Sequence, residues 1–536
     1  MINLKKNLLF ILFFLLIFFL GLLTERFQID NKIGENFKNS YDKISRLVYS
    51  LLPREKISIL IEPKEYQKIV KIRKKALEIS KLTEENEKWS IGKLISNNET
   101  ISDIQIRLKG VFPDHWSDEN QWSFKVKIKN NSKPYKNLKR FALQSPKTTS
   151  YIYEWLYMKA LEKEKLFSIG IDFIDLEINN NNLGYYAILG QISDELIKKN
   201  NKSISPIIGF ESNLWVKEQI NSTKLDLKGV IKKENDTEES YYRAKINPIQ
   251  FSINKNEDSL PQLKQAINLL ESFRQGKIKT SDAFDTDQLA KVMAIRALLG
   301  SYQFDWLDTK FYYNSKTKLL EPISKEIHVD LNHNYKIHYP TWWIDSYKSN
   351  AGYEKKKDYF IDQIYNDKIF YEKYLRQLNK FSRVNYFDQL IKDNNKDFKN
   401  YLKMLKMNYP TKKVFSSEHL EITRLRIQDF LNPVQGVNVY FSKFENGILN
   451  LNISNLQRLP VVIKGLSLED GSIVHLEKKN ILDGRKPHLP TQIENLKFDC
   501  NFKSICKKNR IQKQKIIFKI LGQDKEKYAY ISPYYK

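Results

Sequence analysis

The chain has 536 residues, of which 41% are hydrophobic, 13% aromatic and 28% charged. This balance excludes a disordered or low-complexity protein and leaves room for about two to four domains. The net charge of +26, carried largely by Lys, points either to an anionic partner or to a solvated basic surface. The only two cysteines, Cys500 and Cys506, cannot complete a four-coordinate structural zinc site, and one small-loop disulfide is the pairing they allow.

Leu8 to Leu23 is an unbroken apolar run behind Lys5 and Lys6. With Asn7 and Thr24 it reaches the length of a membrane-spanning helix, about 17–25 residues. No small-x-small cleavage site follows, so residues 1–24 read as a retained signal anchor, with a cleaved signal peptide as the alternative, and residues 25–55 as a juxtamembrane spacer. The expected protein is therefore membrane-anchored, with its soluble part periplasmic or extracellular and no nucleic acid among its partners.

Pro53 ends the spacer, Ile57 to Ile61 reads as a strand, and Glu65 to Leu82 as a basic helix. Trp89 to Ile95 and Ile101 to Lys109 pair as a hairpin across Asn97-Asn98. In Trp122 to Lys129, Trp122, Phe124, Val126 and Ile128 alternate with Lys125, Lys127 and Lys129. The strand before it sets Ile104, Ile106 and Leu108 against Gln105, Arg107 and Lys109. Two such neighbours form either a cationic shelf or an ordinary solvated sheet face. Tyr151 to Glu162 is a helix that carries Glu154; Phe173 to Ile178 and Gly184 to Leu189 complete a mostly antiparallel sheet. Residues 195–260 show weak periodicity, and Pro261 to Arg274 is an amphipathic helix.

The stretch from Phe284 to Asp330 holds most of the chemistry. A helix with Leu289, Val292, Ala294, Ile295 and Leu298 at helical spacing stops at Gly300. A short loop then carries Asp305, Trp306 and Asp308; Lys310 to Asn314 and Leu319 to Ile323 form a hairpin, and Glu326 and Asp330 follow. A loop acid, a hairpin and a second acid bring carboxylates to one rim, an arrangement suited to holding a divalent metal and activating a hydroxyl. Asp residues beside strands also serve as turn formers and helix caps, so the plainer structural role stands beside the chemical one.

Beyond Asp330 the chain is expected to be helical to about Leu431. Pro433 to Gly436 marks a boundary, and the strands after it suggest a small β-sandwich. The chain holds no G-x-G, Walker A, H-E-x-x-H or G-x-S-x-G sequence. His328, His333 and His338 are spaced five apart, off any single helical face, and are expected at the surface or in the core rather than on zinc.

Several segments in series resemble the spore-coat protein H (CotH) kinase family of exported bacterial proteins. They are IRLKG at 106–110, DHW at 114–116, WSFKVKIK at 122–129, EWLYMKAL at 154–161 and NNLGYYAI at 181–188. LLESFRQGKI at 269–278, FDTDQLAKVMAIRALLG at 284–300 and DWLDTKFYYNSKTKLLEPI at 305–323 continue the order. The resemblance spans roughly 55–430 and no single motif in it is decisive. It implies an α+β, divergent protein-kinase-like two-lobed fold: an N-terminal antiparallel sheet and a helical C-lobe, here over residues 56–432. The membrane helix would precede it and the β-rich domain of residues 433–536 would follow.

The activity implied is transfer of the γ-phosphoryl of ATP, with Mg2+ or Mn2+, to Ser or Thr of a surface, secreted or envelope protein. By the resemblance Lys125 and Arg107 contact phosphate and Glu154 positions Lys125. Asp305 is the catalytic base, Asp308 a metal ligand, and Glu326 or Asp330 the second metal ligand. Departures from the family's pattern are Asp308 and Glu326 near positions that usually carry Asn and Asp, Leu189-Gly190-Gln191 where an acid is expected, and no Arg near Thr148-Thr149-Ser150. Two alternatives therefore stand beside an active kinase: an inactive relative that binds nucleotide or a partner, and a structural or polysaccharide-associated surface protein.

Overall fold

A computed structural model describes residues 55–83, 88–96, 99–129, 131–218, 220, 237–249, 260–301, 305–329, 331, 359–383, 385–433, 436–485, 490–500, 511 and 513–533. The chain forms two compact units, and it passes between them more than once. One comprises residues up to Ile152, Ile171–Leu189 and Asn394–Phe415; the other comprises Tyr153–Gly170, Gly190–Asp393 and Ser416 onward.

The first unit is built on a closed barrel. Its strands are β1 (Lys56–Leu60), β2 (Ser90–Ser96), β3 (Glu99–Leu108), β4 (Phe124–Ile128), β5 (Arg140–Gln144), β6 (Ile171–Ile178) and β7 (Asn181–Gly190), in the order β1-β2-β3-β4-β5-β7-β6. The expected hairpin of β2 with β3 is present, with Ser90 opposite Ile106. Alternation along β4 puts Phe124, Val126 and Ile128 into a core shared with Ile57, Ile59, Leu94, Ile104, Ile106, Phe141, Ile174 and Leu176. Asn179 and Asn180, both at positive φ, make the two-residue turn between β6 and β7.

Closure comes from a parallel pairing of β1 with β6, Ile57 opposite Leu176. The Asn179 side chain reinforces it, accepting from the Ile61 N–H at 2.7 Å and donating to the Ile61 carbonyl at 2.9 Å. This ring overturns the expected kinase-like lobe with an N-terminal antiparallel sheet: the first unit is a closed seven-stranded barrel, in a chain that is mixed α/β. Period-two alternation predicts strands but carries no information on whether the first and sixth meet.

In the second unit, β8 (Ile207–Phe210), β9 (Ile246–Pro248), β10 (Lys310–Asn314) and β11 (Leu319–Ile323) form a sheet in the order β11-β10-β8-β9. The helix Thr286–Leu299 starts on Asp285, whose side chain accepts from the N–H groups of Asp287 and Gln288, and stops at left-handed Gly300. Its expected apolar residues are all buried. Beyond it run the helices Tyr359–Tyr365, Lys368–Arg383, Tyr386–Asp393 and Ser417–Leu431, while Asn395–Asn408 belongs to the first unit.

The C-terminal strands are β12 (Val437–Glu445), β13 (Ile448–Asn455), β14 (Val461–Ser467), β15 (Ile473–Leu482), β16 (Ile493–Asp499), β17 (Lys515–Ile520) and β18 (Glu526–Ser532). They make one seven-stranded sheet, β15-β14-β17-β18-β12-β13-β16, curled until its two edge strands approach each other. This replaces the expected sandwich, because β18 pairs with both β12 and β17 and joins what would have been two layers. Cys500 is disulfide-bonded, as the spacing allowed; Cys506 lies outside the described residues.

The membrane expectation is also corrected. Among the described residues no helix is long and apolar enough to cross a membrane, and the run Leu8–Leu23 lies outside them. The anchored localisation that rested on that run is withdrawn.

Candidate functional site

Residues 305–309, which lead into β10, are held from within and from beneath. Asp305 accepts the Asp308 N–H on its carboxylate at 2.9 Å, and the Thr309 N–H reaches the Asp305 carbonyl at 3.2 Å. Trp306, only 5% exposed, packs edge-on against Phe210 of β8 at 5.9 Å between ring centroids and against Tyr241 at 5.8 Å. Aromatic packing of this kind, with a local hydrogen-bonded turn, anchors the Asp305–Thr309 segment to the sheet.

Three of the four expected loop acids come together. Burial pushes the Asp308 carboxyl up to about 6, and the nearby charges of Asp305 and Glu326 add to the rise, against Lys325 and Lys310. The hairpin has the expected limits and register, Lys310 opposite Ile323 and Asn314 opposite Leu319. Asp330 lies outside the described residues.

Three cations at this site were not singled out in the sequence. Lys310, first residue of β10, is 9% exposed and donates to the Leu307 carbonyl at 2.6 Å. Burial pushes its ammonium down to about 8, as does the charge of Lys325, while Asp308 and Asp305 oppose the fall. Arg296, 3% exposed on the helix Thr286–Leu299, donates to Ser324 Oγ at 2.7 Å and to the Glu326 carbonyl at 3.3 and 3.4 Å. Its guanidinium also lies over the Tyr157 ring at 5.4 Å. Glu326 has φ +55, a left-handed conformation uncommon for a non-glycine residue, and its carbonyl is the one that Arg296 holds. The signal was legible: Arg296 is the one charge in the apolar run MAIRALL.

The other expected residues are carried by other elements. Glu154, wholly buried on the helix Ile152–Lys163, acts on Tyr157 and so lies near the Arg296 clamp. Lys125 and Arg107 belong to the first unit, opposite each other on β4 and β3. Arg107 is not on an open shelf: it is 8% exposed, with its guanidinium over Trp89 at 5.1 Å.

Among the described residues no group of three or more His, Cys, Asp or Glu is placed to hold a metal ion. Asp330, the remaining expected ligand, lies outside the described residues.

Fold and site together define a mixed α/β protein with half-buried acids and a buried lysine at the start of an inner strand of a small sheet. No protein-family model matches the chain, and no curated protein matches it. The likeness to the CotH family thus rests on the segments quoted above.

Proposed function

We propose that this chain is a CotH-type phosphotransferase that moves the γ-phosphoryl of ATP to a Ser or Thr hydroxyl of a protein. The supporting observation is the convergence of Asp305, Asp308 and Glu326 at the β10 hairpin, with Lys310 and Lys325 beside them. Phosphoryl transfer asks a protein for an acid that orients and deprotonates the hydroxyl and for fixed positive charge near the phosphoryl oxygens. Asp305 takes the first role here, at a turn fixed by its own hydrogen bond to Asp308. Lys310 and Lys325 take the second.

The test is label transfer from γ-labelled ATP by the full chain, to itself or to a Ser-rich protein acceptor. Asp305→Asn is expected to lower the rate by about 100-fold or more. Transfer that survives this substitution removes the proposal. Nucleotide binding with no transfer by the unaltered chain leaves the inactive relative, and no thermal shift with ATP leaves the structural reading.

A further inference from the structure

We propose that the C-terminal sheet binds an acidic polysaccharide in the cleft where β12 and β18 part, with Tyr528 and Tyr530 as stacking surfaces for its sugar rings. The inference stands apart from phosphoryl transfer, and neither depends on the other.

The two strands run parallel and pair at Val439 with Ile531 and at Tyr440 with Ser532. Ahead of that pairing, Gly436 to Asn438 and Lys527 to Tyr530 instead line a cleft of about 560 Å3. Buried Phe518 is part of its lining, and a Cβ on Gly436 would lie 2.2 Å from Phe518 Cζ, so the glycine serves close approach. Alternation along β18 sends Ala529 and Ile531 into the core of the sheet. It sends Tyr528 and Tyr530 to solvent, 56% and 64% exposed, and Tyr530 is the most exposed large apolar side chain among the described residues. Tyr440 stands on the same face, beside Ser532. The Lys515 ammonium lies over the Tyr530 ring at 4.7 Å and steadies it. Single exposed aromatics are ordinary; two in step on one strand, bordering a cleft, make a binding surface.

A sugar ring has an apolar face of C–H bonds and a rim of hydroxyls. The C–H face suits the negative face of a tyrosine ring, and Asn438, Ser532 and the tyrosine O–H groups offer partners to the hydroxyls. Charge selects an acidic sugar. The nearby acids are answered within the protein: Asp524 pairs with Arg376 at 3.8 Å, and Glu526 stands opposite Lys519. Lys525 and Lys527 also line the cleft, and the Lys527 ammonium bonds a neutral group, the Pro433 carbonyl, at 3.0 Å. Burial holds that ammonium below its ordinary value, and the charge of Lys525 adds to the fall. A sugar carboxylate placed there would meet positive charge. A nucleic acid would need a continuous positive track for its phosphates, which Asn438, Ser532 and the exposed Glu526 interrupt.

The test is calorimetric titration of the full chain with polygalacturonate and with alginate. Tyr528→Ala and Tyr530→Ala are each expected to weaken binding about tenfold. Their urea midpoints should stay unchanged, because both side chains face solvent. Lys525→Ala is expected to weaken binding about threefold and to flatten its dependence on NaCl. Ile473→Ala, at an exposed position on β15, should bind as the unaltered chain does. Polyglutamate, an anionic chain without sugar rings, separates stacking from the net charge of +26. It should bind at least about tenfold more weakly, and equally to Tyr528→Ala.

Binding of both polysaccharides that survives the two tyrosine substitutions overturns the inference, as does equal affinity for polyglutamate. Absence of binding to polygalacturonate and alginate alike overturns it too. Oligo(dT) bound more tightly than either, and lost in the tyrosine variants, would give the face to a nucleic acid instead.

Discussion

Arg296 shows how one side chain on an apolar helix sets the backbone of a loop thirty residues away. Its guanidinium reaches Ser324 Oγ, Ser301 Oγ and the Glu326 carbonyl, and so holds Glu326 at a φ that the chain alone would avoid. Arg296→Met keeps the volume and removes every donor. It should cost about 2–3 kcal/mol in urea unfolding, since buried acceptors are left unsatisfied. Amide exchange at Ser324 to Ile327 should quicken with it. Unchanged protection there would mean the strain at Glu326 has another source. Lys310 and Gly209 make the same point as a pair: each reads as ordinary alone, and only their contact across β8 and β10 gives them meaning.

At the scale of elements, the helix Lys368–Arg383 is tied at its start by Asp367. The Asp367 carboxylate accepts from the Ser281 N–H at 2.6 Å and from the Ile369 N–H at 2.8 Å, joining two helices. Burial pushes its pKa up, but the hydrogen bonds from Ser281, Ile369 and Phe370 outweigh it and hold the carboxyl below its ordinary value. A depressed folded pKa adds stability that is complete above the unfolded value of about 3.9 and fades as pH falls through the folded one. Asp367→Asn should therefore be less stable by about 1–2 kcal/mol at neutral pH, with the gap closing below pH ~3.9. A gap in urea midpoints that widens in acid would refute this.

Elements with a strong local period were legible. The helix Thr286–Leu299 and both strands of the β10–β11 hairpin stand where apolar spacing, Gly300 and the polar turn put them. The lobe around β1 was misread because its decisive pairing is remote in sequence.

For the molecule as a whole, barrel closure is the feature on which the first unit's stability should turn. Leu176 is fully buried on β6, opposite Ile57 on β1. Leu176→Ala should destabilise by about 3–4 kcal/mol, and should lower amide protection in β1 as well as in β6. Loss confined to β6 would show that the ring is not a cooperative unit.

What the residues alone settled here was local: which segments are helix or strand, where Gly300 stops a helix, and that acids gather around Trp306. Periodicity, capping and turn chemistry act over a few residues, so they can be read without coordinates. Tertiary structure alone decided that seven strands close into a ring, that the C-terminal strands form one curled sheet, and that the Lys310 stem runs against Gly209 of β8. Each of these depends on segments far apart in the chain meeting in space, and the free energy of such meetings is written in no single stretch of sequence.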